Sequence, residues 1–173
     1  MKKNRCVNIL IVLCSLIVFV ACSKDSKPIS QQESRQKEIS DYSNSLSDGS
    51  FVLDKQKADT LIKMYADYVK DYPKDTISEF YLFQMASVYA NVGNCKKAIE
   101  CLNRMIQDYP NGTKIGAAYF FKGVYYKELC GNVEKSREAF QEYIEKYPNN
   151  SHVEDAKRMM QMDTMQNPVD IVK

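Results

Sequence analysis

The sequence predicts an all-α fold, an array of stacked helix pairs with about six helices. Two observations carry that prediction. The first is a recurring helix ending: Tyr72-Pro73, Tyr109-Pro110 and Tyr147-Pro148 each close a short amphipathic stretch, and the prolines stand 37 and 38 residues apart. A period in that range, with helical patterning, marks a repeat array. The second is an alternation along the chain. Segments apolar on more than one side alternate with segments apolar on a single face, as expected when one helix of each pair is sandwiched and the other lies outside.

In chain order, Lys2, Lys3 and Arg5 precede an almost unbroken apolar run from Val7 to Ala21. That run has signal-peptide length and is shorter than the ~20 residues of a membrane-spanning helix. It ends in Phe19-Val20-Ala21-Cys22-Ser23, which resembles the lipobox of bacterial lipoproteins. The resemblance implies that residues 1–21 are a signal peptide and that Cys22 becomes the lipidated first residue, anchoring the chain in a membrane. Without residues 1–21 the chain holds 21 basic and 22 acidic side chains, a formal net charge of −1. A nucleic-acid interface needs a clustered basic face, so that partner class is not expected.

Residues 23–50 hold nine serines, with Ile29, Ile39, Tyr42 and Leu46 as their sizeable apolar side chains. Too little surface can be buried to offset the entropy of ordering. The stretch 22–51 therefore reads as a lipidated cysteine followed by a flexible tether, with a weak helix over Glu33 to Leu46 as an alternative.

The folded domain is expected over 52–163. Its first helix, 54–71, places Ala58, Leu61, Ile62, Tyr65, Tyr68, Val69 and Tyr72 three and four residues apart, the helical spacing. A second helix, 77–92, carries Phe80, Leu82, Phe83, Met85, Ala86 and Tyr89 over more than one stripe. The third, 95–108, is one-sided through Ala98, Ile99, Leu102, Met105 and Ile106. The fourth, 114–129, is again two-sided, and the fifth, 133–146, one-sided through Ala139, Phe140, Tyr143 and Ile144. A more polar last helix, 151–163, reads as a cap, opened by Ser151 with Glu154 three positions on, a capping box. Residues 164–173 read as a loose tail.

Chemistry-bearing motifs are scarce. His152 is the single histidine, and its setting is that of an ordinary helix start. The sequence has neither a Gly-rich phosphate loop nor HExxH nor metal-ligand spacing. No catalytic residue, metal, cofactor or small-molecule substrate is expected. Cys95 and Cys101 are six apart on one helix, a rotation of roughly 240°, so they face different ways. In an oxidising compartment thiols that meet tend to pair. Cys95 opens the third helix and Cys130 closes the fourth, and consecutive antiparallel helices bring such ends together. A Cys95–Cys130 disulfide is thus one expectation, with small core residues as the other; Cys101 reads as a buried apolar residue.

At this point the residues carry a family likeness. Leu82, Met85, Ala86 and Tyr89, then Gly93, Cys95, Ala98, Leu102, Met105 and Pro110, follow the tetratricopeptide pattern. A second copy runs through Tyr119, Gly123, Tyr126, Gly131, Ser136, Phe140, Tyr143 and Pro148, with one extra loop residue. The resemblance implies a short right-handed superhelix whose inner surface comes from the first helix of each pair. Carried onto matching positions, that surface is Phe80, Phe83, Ser87, Ala90 and Asn91, then Ala117, Phe120, Val124, Lys127 and Glu128. Phe83 and Phe120 would form an aromatic floor, with Asn91 and Lys127 orienting a partner's backbone.

Long repeats, helices ending in Tyr-Pro and a lipid-anchored amino terminus together resemble two groups. These are the tetratricopeptide lipoproteins of outer-membrane β-barrel assembly and the tetratricopeptide part of the Tol-Pal cell-division coordinators. The likeness implies a protein-binding scaffold of the bacterial cell envelope, lipid-anchored in the outer membrane, whose partners are other envelope proteins. A subunit that only bridges envelope components through its outer surface, or coordinates them without a peptide groove, is the alternative.

Overall fold

The helix boundaries follow from two local devices that the sequence repeats. In the computed structural model, which describes residues 30–46 and 54–166, Tyr72, Tyr109 and Tyr147 are the C-caps of three helices. Their backbone angles nearly coincide: φ −126°, −129° and −131°, ψ 56°, 54° and 51°. The next residue's proline ring disfavours helical ψ at each tyrosine, so the chain leaves the helix there. A tight turn follows every time, closed by Asp75, Gly112 and Asn150 N–H donating to the tyrosine carbonyls at 2.8–3.0 Å.

The second device is Gly-Asn. Gly93 and Gly131 have φ of 73° and 62°, the left-handed conformation that glycine adopts without a Cβ penalty. Asn94 and Asn132 then cap the following helices, their side-chain oxygens accepting from Lys97 and Lys135 N–H at 3.1 and 2.9 Å. The two turns differ in one respect. Asn94 N–H bonds the Tyr89 carbonyl, five residues back, whereas Asn132 N–H bonds that of Tyr126, six back. The extra loop residue of the second copy is accommodated in this wider closure.

These devices delimit seven helices among the described residues, and no strand: α1 Gln31–Ser45, α2 Lys55–Asp71, α3 Thr76–Asn91, α4 Cys95–Asp108, α5 Ile115–Glu128, α6 Val133–Lys146 and α7 Val153–Gln166. From α2 onward each helix packs against the next. The architecture is the predicted tetratricopeptide-like array of helical hairpins, with one helix more than expected.

That additional helix is the alternative held for Glu33 to Leu46; the rest of 22–51 lies outside the described residues, Ser30 to Gln32 apart. The chain divides into two units, residues 1–36 and 37–173. In the first, Ser30 and Glu33 form a capping box at the start of α1, with Ser30 N–H donating to Glu33 Oε2 at 2.9 Å and Glu33 N–H to Ser30 Oγ at 3.1 Å. In the second, Ile39 is buried at 3 % exposure, with Tyr42 and Leu46 packed against the core. A serine-rich average conceals this stripe of three apolar residues at helical spacing.

The core of the second unit is aromatic at both ends, around Tyr65, Tyr68 and Tyr81 and around Phe140 and Tyr143, with Leu82, Leu102 and Met105 also buried in it. Tyr81 of α3 lies 4.9 Å from the rings of both Tyr65 and Tyr68. Tyr68 is fully buried and donates its hydroxyl to Asp75, the N-cap of α3. Leu82, Leu102, Met105 and Phe140 are also fully buried, each contributing ~1.5–3 kcal/mol of apolar burial. The α5–α6 contact is closest at Gly123. A Cβ there would stand 2.6 Å from the Phe140 ring, and Ser136 Oγ donates to the Gly123 carbonyl at 2.9 Å.

The predicted capping box at Ser151 is not the device used. α7 starts at Val153, and Asn150 Oδ1 accepts from His152 N–H at 3.1 Å. Glu154 pairs with Lys157 at 2.8 Å. The Tyr147-Pro148 turn ends at Asn150, which puts that side chain where it can hold the next free N–H.

Candidate partner-binding site

The loop between α4 and α5 is built around an acid that reads, in sequence, as a surface residue. Glu79 on the first turn of α3 is only 5 % exposed. Its carboxylate accepts from Thr113 N–H at 3.2 Å and Lys114 N–H at 2.6 Å. The N-cap of α5, Lys114, makes no side-chain cap bond of its own, so Glu79 caps that helix from the preceding hairpin. A carboxylate accepting N–H groups at a helix start also meets the positive end of the helix dipole. Gly112 makes room for it, since a Cβ at that position would come within 2.4 Å of the carboxylate. Alongside, Tyr109 donates its hydroxyl to the Pro73 carbonyl at 2.7 Å, so the first two Tyr-Pro turns are linked.

The ordered loop forms one wall of a cavity of about 540 Å³. Gly112, Thr113, Lys114, Gly116 and Ala117 line one side of it, Phe120 and Phe121 the floor, and Tyr143, Tyr147, Asn150 and His152 the rest. Small side chains at 112, 116 and 117 leave the space open. Phe120 anchors the floor, its ring 5.5–5.7 Å from those of Phe121, Phe140, Tyr143 and His152. From Phe121 the aromatic surface continues to Phe83 at 5.4 Å and Tyr125 at 5.7 Å. Burial holds the hydroxyls of Tyr125, Tyr143 and Tyr147 above the ordinary tyrosine range, so they stay neutral donors.

The residues carried over from the repeat pattern fall into distinct settings. Phe80 is exposed, and Lys114 Nζ stands 5.9 Å above its ring. Asn91 is exposed and Val124 half-buried. Phe83 and Ser87 are half-buried, Ser87 Oγ donating to the Phe83 carbonyl at 3.2 Å. Phe120 departs most from the expectation of an open floor, because its ring packs against the core residues Phe140 and Tyr143. Lys127 also differs, since its Nζ donates to the Met159 carbonyl at 3.4 Å and so ties α5 to α7.

Phe121, Tyr143, Tyr147, Lys114 and His152 were not singled out as site residues, His152 being read as an ordinary helix start. The signal that could have found them is their recurrence beside the Tyr-Pro turns, where three elements converge. His152 is exposed, its Nδ1 3.1 Å from Asp155.

Cys95 and Cys130 are joined by a disulfide with the Cα atoms 5.4 Å apart. The bond links the start of α4 to the turn after α5. Cys101 is free and buried, and burial pushes its thiol up to about 11. Cys22 and residues 1–21 lie outside the described residues, as does most of the tail 164–173. Among the described residues no helix is long and apolar enough to cross a membrane, and no three His, Cys, Asp or Glu side chains are grouped to hold a metal.

No curated protein matches the chain. Tetratricopeptide repeats are protein-interaction modules, and their family profile matches residues 81–112 and 114–150. Those segments fall on the α3–α4 and α5–α6 hairpins with their closing turns, and α7 follows them.

Proposed function

We propose that this chain is a non-enzymatic scaffold of the bacterial cell envelope, anchored in the outer membrane through a lipid on Cys22, that holds a protein partner during outer-membrane protein assembly. The observation that carries the binding part is the aromatic strip Phe83–Phe121–Phe120 that opens into the cavity beside exposed Phe80. Enclosed aromatics beside a few polar groups are what protein-binding hot spots are made of. The anchor rests on the apolar run ending at Ala21-Cys22.

A photo-crosslinking amino acid at Asn91 or Ala117, compared with one at exposed Gln107 of α4, tests the groove in intact cells. Crosslinks from Asn91 and Ala117 alone are expected. Crosslinks from Gln107 alone would replace the groove by a bridging outer surface. For the anchor, Cys22→Ser should leave the protein unprocessed or free of the membrane, and an intact mass without acyl chains on the native protein would sink the lipoprotein reading. Two or three acyl chains, at ~0.8 kcal/mol per buried CH₂, give a stable anchor where one does not.

A further inference from the structure

The cavity wall has a chemical bias that the repeat pattern does not specify. Among its lining side chains are Lys114 and His152 and no carboxylate. The nearby acids are already engaged. Glu79 accepts from the Thr113 and Lys114 N–H groups, and Asp155 is shared between His152 and Arg158. The Lys114 ammonium lies over the exposed Phe80 ring, which places a cation and an open aromatic face together beside the cavity. A volume of about 540 Å³ falls within the ~300–1,000 Å³ of ligand sites. It exceeds what one small side chain fills.

We propose that the cavity takes an acidic–aromatic peptide segment of the partner: an aromatic side chain enters against Phe120 and Tyr147, and a neighbouring carboxylate meets Lys114 and His152. The inference rests on the scaffold reading above and names the partner's chemistry at that same site. The aromatic ring finds edge and face contacts with the floor. Its backbone crosses Phe80 on the way in. Glu79 already holds the Thr113 and Lys114 N–H groups just before α5, and the Lys114 and His152 side chains meet the carboxylate.

The test uses the full chain in detergent and fluorescein-labelled nine-residue peptides, read by fluorescence anisotropy. The first peptide has one phenylalanine flanked by aspartates in a glycine-serine background. In the second, lysines replace the aspartates, and in the third alanine replaces the phenylalanine. The first should bind about 5-fold or more tighter than either other, since it alone has both the charge contact and the buried ring. Ala117→Phe, which fills the cavity, should remove binding of the first peptide while the helical circular dichroism remains. Lys114→Ala with His152→Ala should bring the aspartate and lysine peptides to within about 2-fold of each other.

Equal binding of the first two peptides by the unaltered chain would overturn the proposal. So would no binding of the first up to about 1 mM, a free energy of only ~4 kcal/mol. Should Ala117→Phe fail to fold, the Lys114/His152 pair, both exposed side chains, decides alone. Partner crosslinks from Asn91 that survive in Ala117→Phe would remove the cavity proposal and leave the scaffold standing. Loss of all groove crosslinks from the unaltered chain would remove both.

Discussion

Two glycines on α5, seven residues apart, should respond to the same substitution with opposite signs. Gly→Ala inside a helix gains ~1 kcal/mol of intrinsic propensity. At Gly123 that gain meets the Phe140 ring, whose Cδ1 and Cε1 would lie 2.6 Å and Cγ 2.8 Å from the new methyl. Phe140 is fully buried and its ring is held against Phe120, so it cannot swing into solvent. Overpacking of this kind costs ~1–3 kcal/mol. Parting the two helices also stretches the Ser136–Gly123 hydrogen bond, a further ~1 kcal/mol. The net expectation for Gly123→Ala is a loss of about 2 kcal/mol, which lowers Tm by roughly 4–8 °C at this domain size. At Gly116 the nearest atoms are Tyr147 carbons at 3.5 Å, an ordinary contact, so Gly116→Ala should gain up to ~0.5–1 kcal/mol. Urea denaturation with circular dichroism detection measures both, and Phe140→Leu in the Gly123→Ala background should recover part of the loss. Equal stabilisation by both alanines would refute the close-contact reasoning.

Three further outcomes can be checked on the same material. Glu79→Ala should lose about 2–3 kcal/mol, since two part-buried N–H groups are left without their charged acceptor, and Glu79→Gln, with one acceptor oxygen, should lose about half as much in urea titrations. Reducing the Cys95–Cys130 bridge, whose partners are 35 residues apart, should cost roughly 3–4 kcal/mol in the chain-entropy model, seen as a lower Tm in dithiothreitol that Cys95→Ala/Cys130→Ala reproduces. Burial raises the Cys101 thiol from its ordinary 9.0 to about 11 and Tyr81 to about 12. Their contribution to stability is therefore full below about pH 9 and falls as the pH rises toward 11 and beyond, because the unfolded chain releases those protons first. Urea midpoints should be level up to about pH 8.5 and drop by about pH 10.5, with Cys101 inert to thiol reagents in the folded protein throughout the level range.

What the sequence revealed and what it concealed differ in physical kind. Tyr-Pro and Gly-Asn act on the backbone within a few residues of themselves, so their spacing alone located five of the helix ends and the array. Helix α1 was legible only as an alternative, because composition averages over Ser23 to Ser50, whereas Ile39, Tyr42 and Leu46 act through position. The groove was half legible. Repeat pattern pointed to Phe83 and Phe120, but adjacent phenylalanines differ by ~100° around a helix, and only packing shows Phe121 completing the strip. The cavity was illegible, since its walls come from the Gly112–Lys114 loop, from α6 and from the start of α7. Glu79 has the appearance of any solvated acid until the N–H groups 34 and 35 residues away are in view.

The sulfur bridge also gives the chain a mechanical property. Residues 96–129, which include the Gly112–Lys114 wall, sit inside a covalent ring closed by Cys95 and Cys130. Tension applied between the two termini crosses the ring through the S–S bond and does not reach those residues. At ~3.6 Å per residue, a span of 35 residues keeps ~125 Å of contour length locked until a reductant releases it. Force applied at the two termini would thus extend the chain on either side of the ring and spare the wall.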